Sequence, residues 1–149
     1  MKLKQIAISI ENSPGRLYEV THALGEAGIN LRALSLVDTG AFGQLRLLVS
    51  DVAQTRRILM EMQMPAQVND VVAVEIEDKP GSLAAMLKPL TAAKVSVIYT
   101  YAFVGFTTGQ AVMIFRFSDN DKAIKVLMKN KIKLLDARAF GILETNGGN

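Results

Sequence analysis

The chain has 149 residues, half of them apolar and 21% charged, enough for one domain with a sizeable core or for two small ones. Seventeen Lys and Arg against 14 Asp and Glu leave a net charge of +3, spread too evenly to argue for nucleic acid. Without a cysteine, disulfides, thiol catalysis and thiolate metal sites are excluded. The opening residues Met1-Lys2-Leu3-Lys4-Gln5 lead straight into an alternating stretch with no apolar run of signal-peptide or membrane-span length, so a soluble, cytoplasmic protein is expected.

From Gln5 to Ile10 the isoleucines 6, 8 and 10 alternate with Gln5, Ala7 and Ser9, the pattern of a half-buried strand. Glu11-Asn12-Ser13-Pro14-Gly15-Arg16-Leu17 follows and opens a helix whose stripe is Leu17, Val20, Leu24 and Ala27, ended by Gly28. In this junction Pro14 suits the first helical position, while Asn12 or Ser13 can accept from first-turn amides. Gly15 allows close approach to those amides, where the helix dipole favours a carboxylate. Ile29 to Val37 reads as a strand whose second side, Asn30, Arg32, Leu34 and Leu36, is apolar enough to suggest cover by another sheet or subunit. The turn Asp38 to Gly43 leads to a strand Gln44 to Val49, Ser50-Asp51 caps a helix, and Ala66 to Val68 is a short closing strand.

A second copy follows without a linker. Ile6 and Val72, Pro14 and Pro80, and Gly43 and Gly109 are all 66 positions apart. Glu77-Asp78-Lys79-Pro80-Gly81-Ser82-Leu83 repeats the junction before a helix of Leu83, Met86, Leu87 and Leu90, which Pro89 is expected to bend or shorten. The hairpin is expected from Val95 to Tyr101, a turn at Gly105 to Gly109, and Gln110 to Phe117. Ser118-Asp119 caps the last helix, Leu134 to Ile142 forms a final strand, and Asn146 to Asn149 a frayed tail. Each copy thus reads βαββαβ, an α+β, ferredoxin-like unit: an antiparallel four-stranded sheet with helices on one face, with domains at 1–69 and 70–149.

The duplicated Pro-Gly junctions, with Gly28-Ile29-Asn30-Leu31 after the first, resemble the ACT domain, a ligand-sensing module of amino-acid metabolism. The tandem arrangement is similar to stand-alone double ACT proteins. The resemblance implies a non-catalytic, allosteric sensor that binds a free amino acid where the junction loop of one domain meets the second strand of its neighbour. It implies a homodimer or a regulatory partner of an amino-acid biosynthetic enzyme such as acetolactate synthase. On this resemblance the ligand-binding residues are Asn12, Ser13, Pro14, Gly15, Arg16, Leu17, Asn30 and Leu31, and in the second copy Asp78, Gly81, Ser82, Leu83, Ser96 and Val97. Asp78 in place of Asn12 would repel a ligand carboxylate and could grip an ammonium.

No cofactor, metal, membrane or nucleic acid is expected as a partner. His22, the only histidine, has no cysteine or second histidine nearby and reads as a solvated helix residue. Tyr99, Tyr101 and Phe103 alternate along one strand side and read as core. The first copy's third strand, with Arg46, Leu48 and Ser50 on one side and Leu45, Leu47 and Val49 on the other, lacks the aromatics of an RNA-binding sheet.

Overall fold

The computed structural model describes residues 1–104 and 108–144, so part of the expected Gly105 to Gly109 turn and the whole Asn146 to Asn149 tail lie outside the described residues. The elements are β1 (Lys2–Glu11), α1 (Arg16–Glu26), β2 (Leu31–Asp38), β3 (Phe42–Val49), α2 (Val52–Glu61) and β4 (Gln67–Glu77). They continue with α3 (Ser82–Ala92), β5 (Val97–Val104), β6 (Gln110–Phe117), α4 (Asn120–Lys129) and β7 (Lys133–Leu135). This is the α+β, ferredoxin-like architecture, twice over, with antiparallel pairing in every named ladder. The closing strand of the first copy and the opening strand of the second are one uninterrupted β4.

Contacts within the chain divide it into two compact units. The first is Lys4–Asn69 with residues 137–144; the second is Met1–Leu3 with the described residues of Asp70–Asp136. Met1–Leu3 and the described residues after β7 therefore each belong to the unit built mainly from the other copy.

In the first unit β3 lies between β2 and β1, with Ile6 opposite Leu47 and Ile8 opposite Leu45, all buried. Burial is not confined to one face of β1: Gln5 and Ala7 are also buried, and that side reaches solvent only toward its end, at Ser9 and Glu11. A register shift between Leu31 and Ala33 changes the phase of β2, so Leu34 and Leu36 stand opposite the fully buried Leu47 and Leu45. They are the outer rim of the core face, and they stay 49% and 44% exposed at the sheet edge.

The second unit repeats this arrangement, with β6 between β5 and β4 and the same register shift between Val97 and Tyr99. Its core joins Val72, Val74, Met86, Leu90, Phe115 and Leu127. Phe115 and Phe117 stack at 5.0 Å. Tyr99, Tyr101 and Phe103 are half-buried on β5, not core as their alternation suggests, because β5 is the edge strand. Pro89 does not shorten α3, which has the same eleven residues as α1.

All four helices end alike. Ile29 N–H bonds to Leu24 O and Gly28 N–H to Gly25 O, and the pattern repeats at Met64, Val95 and Ile132. Only the first of these ends has glycine in the left-handed position; the others hold Gln63, Lys94 and Lys131 at φ near +60°.

The expected final strand stops early. After β7, residues Ala137 to Ile142 form a turn closed by Gly141 at φ +64, with Ile142 N–H on Ala137 O. The chain then lies along the first unit: Leu143 N–H bonds to Ser50 O at 2.7 Å, Val52 N–H to Leu143 O, and Lys4 N–H to Glu144 Oε2. Phe140 and Ile142 are buried there.

Candidate ligand-binding site

Proline at the second position of a turn and φ +91 at the third define Ser13-Pro14-Gly15-Arg16 as a type II turn, closed by Arg16 N–H on Ser13 O. Lys79-Pro80-Gly81-Ser82 is its equivalent, with Gly81 at φ +87. The prolines therefore precede the helices instead of starting them, and the glycines are the residues at the caps. Neither Asn12 nor Ser13 caps α1, and no side chain caps α3. By contrast Asp51 and Asp119 cap α2 and α4, each accepting from a backbone amide at 3.0 Å. Past Arg16 and Ser82, whose amides close the turns, the first-turn amides of α1 and α3 thus have no side-chain cap to satisfy them.

Asn12 faces the β2–β3 turn. Its Nδ2 donates to Asp38 Oδ1 at 3.0 Å, Gly40 O at 2.6 Å and Phe42 O at 3.1 Å. The amino group is therefore committed, and Oδ1 is the atom left to accept from another group. Asn30 N–H donates to Ser50 Oγ at 2.8 Å and its carbonyl accepts from Ser50 N–H, so this amide is not available to a carboxylate. Ser96 and Ser118 repeat that exchange. Arg16 pairs with Glu19 at 3.0 Å, and Leu17 is half-buried behind it.

In the second unit the expected site residues fall into two cavities. Gly81 and Ser82 line one of about 580 Å³, together with Glu75, Met86 and Lys131. Ser96 and Val97 line another of about 430 Å³, between the end of α3 and the start of β5. Asp78 and Leu83 are exposed and line neither. A junction and a strand start of the same unit are thus not brought together there; among the described residues of the first unit, likewise, no hydrogen bond joins the junction residues Ser13, Pro14 and Gly15 to Asn30 or Leu31. Sequence reading missed Glu75, Lys131 and Lys133 on the larger cavity. The signal that could find them is that all three stand where the first copy is uncharged.

His22 is exposed and stacks on Tyr18 at 5.3 Å. Among the described residues no group of three or more His, Cys, Asp and Glu could hold a metal ion, and no helix is long and apolar enough to cross a membrane.

Duplicated βαββαβ units with a Pro-Gly turn ahead of each uncapped first helix are the arrangement expected of a tandem ACT protein, and the comparison with known families shows that family. The chain belongs to the ACT domain pair family, whose model matches residues 1–143. It is similar to a crystal structure of a protein from Bacteroides thetaiotaomicron, 37% identical, covering 96% of this chain and 98% of that one at a TM-score of 0.89. Its fold is shared by the regulatory subunits of aspartate kinase from Thermus thermophilus (16% identity, 85% and 90% coverage, TM-score 0.60) and Thermus flavus (19%, 92% of each chain, 0.60). No curated protein matches.

Proposed function

We propose that this chain is a regulatory module without catalysis of its own, binding a free amino acid where the junction loop of one ACT unit faces the second strand of a neighbouring unit. The homodimer edge in this reading is β2. One observation carries most of the weight: β2 lies at a sheet edge with Leu34 and Leu36 half exposed, while the space around Gly15 is open. An unpaired apolar edge is a template for a second strand. The separation of junction and strand start within the second unit points the same way, because a site needing both would draw them from different domains.

In this site the α1 amides of Leu17 and Tyr18, which have no intrahelical acceptor, receive the ligand carboxylate. Oδ1 of Asn12 and the side chain of Asn30 from the neighbour hold the ammonium. The second junction, with Gly81, Ser82 and Leu83 facing Ser96 and Val97 of a neighbour, would work alike, except that Asp78 adds a negative charge. The signal passes to an enzyme of amino-acid metabolism in the cytoplasm, as the family's regulatory character suggests.

A thermal-shift screen of the twenty amino acids tests this. A ligand at 100 times its Kd adds about 2.7 kcal/mol, or about 5–11 °C for a chain of this size. The Asn30 side chain makes no hydrogen bond among the described residues, so Asn30→Ala should reduce the shift without lowering the unliganded Tm. If none of the twenty raises the Tm, the reading fails.

A further inference from the structure

The net charge of +3 belongs to one unit. The first unit holds seven Lys and Arg against seven Asp and Glu, the second ten against seven, so the surplus lies wholly in the second. Its helices carry it: α3 and α4 bring Lys88, Lys122, Lys125 and Lys129 against one acid, Asp121, whereas α1 and α2 balance three arginines with three glutamates. Asp121 is itself held by Lys2 at 3.1 Å. Outside these helices the second unit has six charges of each sign, Asp78 among them.

The surplus is ordered. Buried Ala123 and Leu127 turn one side of α4 inward, and Lys122, Lys125 and Lys129, at i, i+3 and i+7, form a row on the exposed side. At about 1.5 Å per residue the row runs about 10 Å, or two helical turns. None of the three makes an ion pair among the described residues. Asp119, at the head of the row, gives its carboxylate to the Lys122 amide. Met128, 55% exposed, lies beside the row, one turn on from Lys125. Counted from the equivalent caps Asp51 and Asp119, the first copy has Gln54, Arg57 and Glu61 at these places. One charge of the row is thus shared, one is absent and one is reversed.

We propose that this row docks an acidic helix of a partner protein, whose Asp or Glu side chains at matching i, i+3, i+7 spacing face Lys122, Lys125 and Lys129, and whose apolar residue covers Met128. Charge complementarity argues for that occupant, and the length of the row fits two turns of helix. A nucleic acid is disfavoured, because α3 and α4 contain no arginine to hold phosphate in a bidentate grip and no aromatic to stack on bases. So is a bilayer: Met128 is the one large apolar side chain that α4 exposes, too little to insert. Exposed ion pairs are individually weak, which suits a regulatory contact that forms and releases. The surface takes no residue from the amino-acid sites proposed above.

The test is a heteronuclear NMR titration of the full chain with a helical peptide bearing Glu at i, i+3 and i+7 and a leucine beside them. Controls are the same peptide with its glutamates scattered around the helix, oligouridylate RNA and phosphatidylserine vesicles. The patterned peptide should shift the α4 amides from Lys122 to Lys129 and leave those of α2 unmoved, with affinity falling as salt rises. Lys122→Gln with Lys129→Glu, which installs the first copy's residues on an exposed face, should weaken binding by about tenfold or more at unchanged Tm. Lys125→Gln alone should weaken it by about twofold to fivefold. No shift in α4, equal affinity for the scattered peptide, tighter binding of RNA or vesicles, or indifference to the substitutions overturns the proposal. Asn30→Ala should leave peptide binding intact. A failed amino-acid screen with retained peptide binding therefore removes only the earlier reading, and the reverse result removes only this one.

Discussion

Replacing Asn12 with alanine and Asp78 with alanine should have unequal effects, although the two residues occupy equivalent positions. Both backbone amides make the same bond across the hairpin, Asn12 N–H to Ala41 O and Asp78 N–H to Gly109 O, each at 2.9 Å. Only Asn12 adds a side-chain latch, with Nδ2 donating to Asp38, Gly40 and Phe42. A carboxylate cannot donate, so Asp78 has no such role. The latch is exposed, and three bonds sharing one amino group do not add, so its loss should cost about 1–2 kcal/mol. In a chain of this length that lowers the Tm by about 2–8 °C. Urea and thermal melts of the two variants, with hydrogen exchange at Gly40 and Phe42 to localise the effect, provide the assay. Equal stabilities, or a larger loss for Asp78→Ala, would refute the latch. The same latch means that a binding defect in Asn12→Ala mixes loss of fold with loss of site, which is why Asn30→Ala is the cleaner probe.

Other outcomes follow from the same geometry. Lys94→Gly should stabilise by about 0.5–1 kcal/mol, because the left-handed conformation at φ 61 costs a lysine more than the glycine loses in chain entropy; a chemical melt with lower stability would contradict this. Phe140→Ala should destabilise by about 3 kcal/mol, with faster hydrogen exchange at Val52 in the first unit and little change in the α3 and α4 amides. Lys2 lies 3.1 Å from Asp121, whose hydrogen bond and charge raise its pKa above the ordinary lysine value. A raised folded-state pKa contributes stability that is fully present below the unfolded value and is lost as pH rises through the folded one. The Lys2 NMR titration should therefore move down toward the ordinary value in Asp121→Asn, with any change in stability confined to alkaline pH.

What could be read from sequence was what repeats or is local. The offset of 66 survives between the junctions because a turn of fixed geometry needs proline and glycine in fixed places. Asp51 and Asp119 were legible as caps because the bond spans three residues. The prolines were misassigned by one step of the same local logic: proline suits a helix start, but it suits a type II turn equally, and glycine at φ +91 decides for the turn. What could not be read is distant in sequence. Asn12 is bonded to residues 26 to 30 positions away, and Glu144 to Lys4 across 140. The final strand was overextended because Leu134 to Ile142 is apolar enough for either outcome, while Gly141 and the helical turn before it redirect the chain.

The central claim is that the amino-acid site is shared between domains across β2. Calorimetric titration of the amino acid found by screening, into wild type and into Leu34→Lys with Leu36→Lys, tests it most directly when light scattering reports the mass of each. Both leucines are about half exposed, so the variant should fold. The expected result is a monomer that no longer binds although every junction residue is intact. A monomer that binds as tightly as wild type would contradict the account.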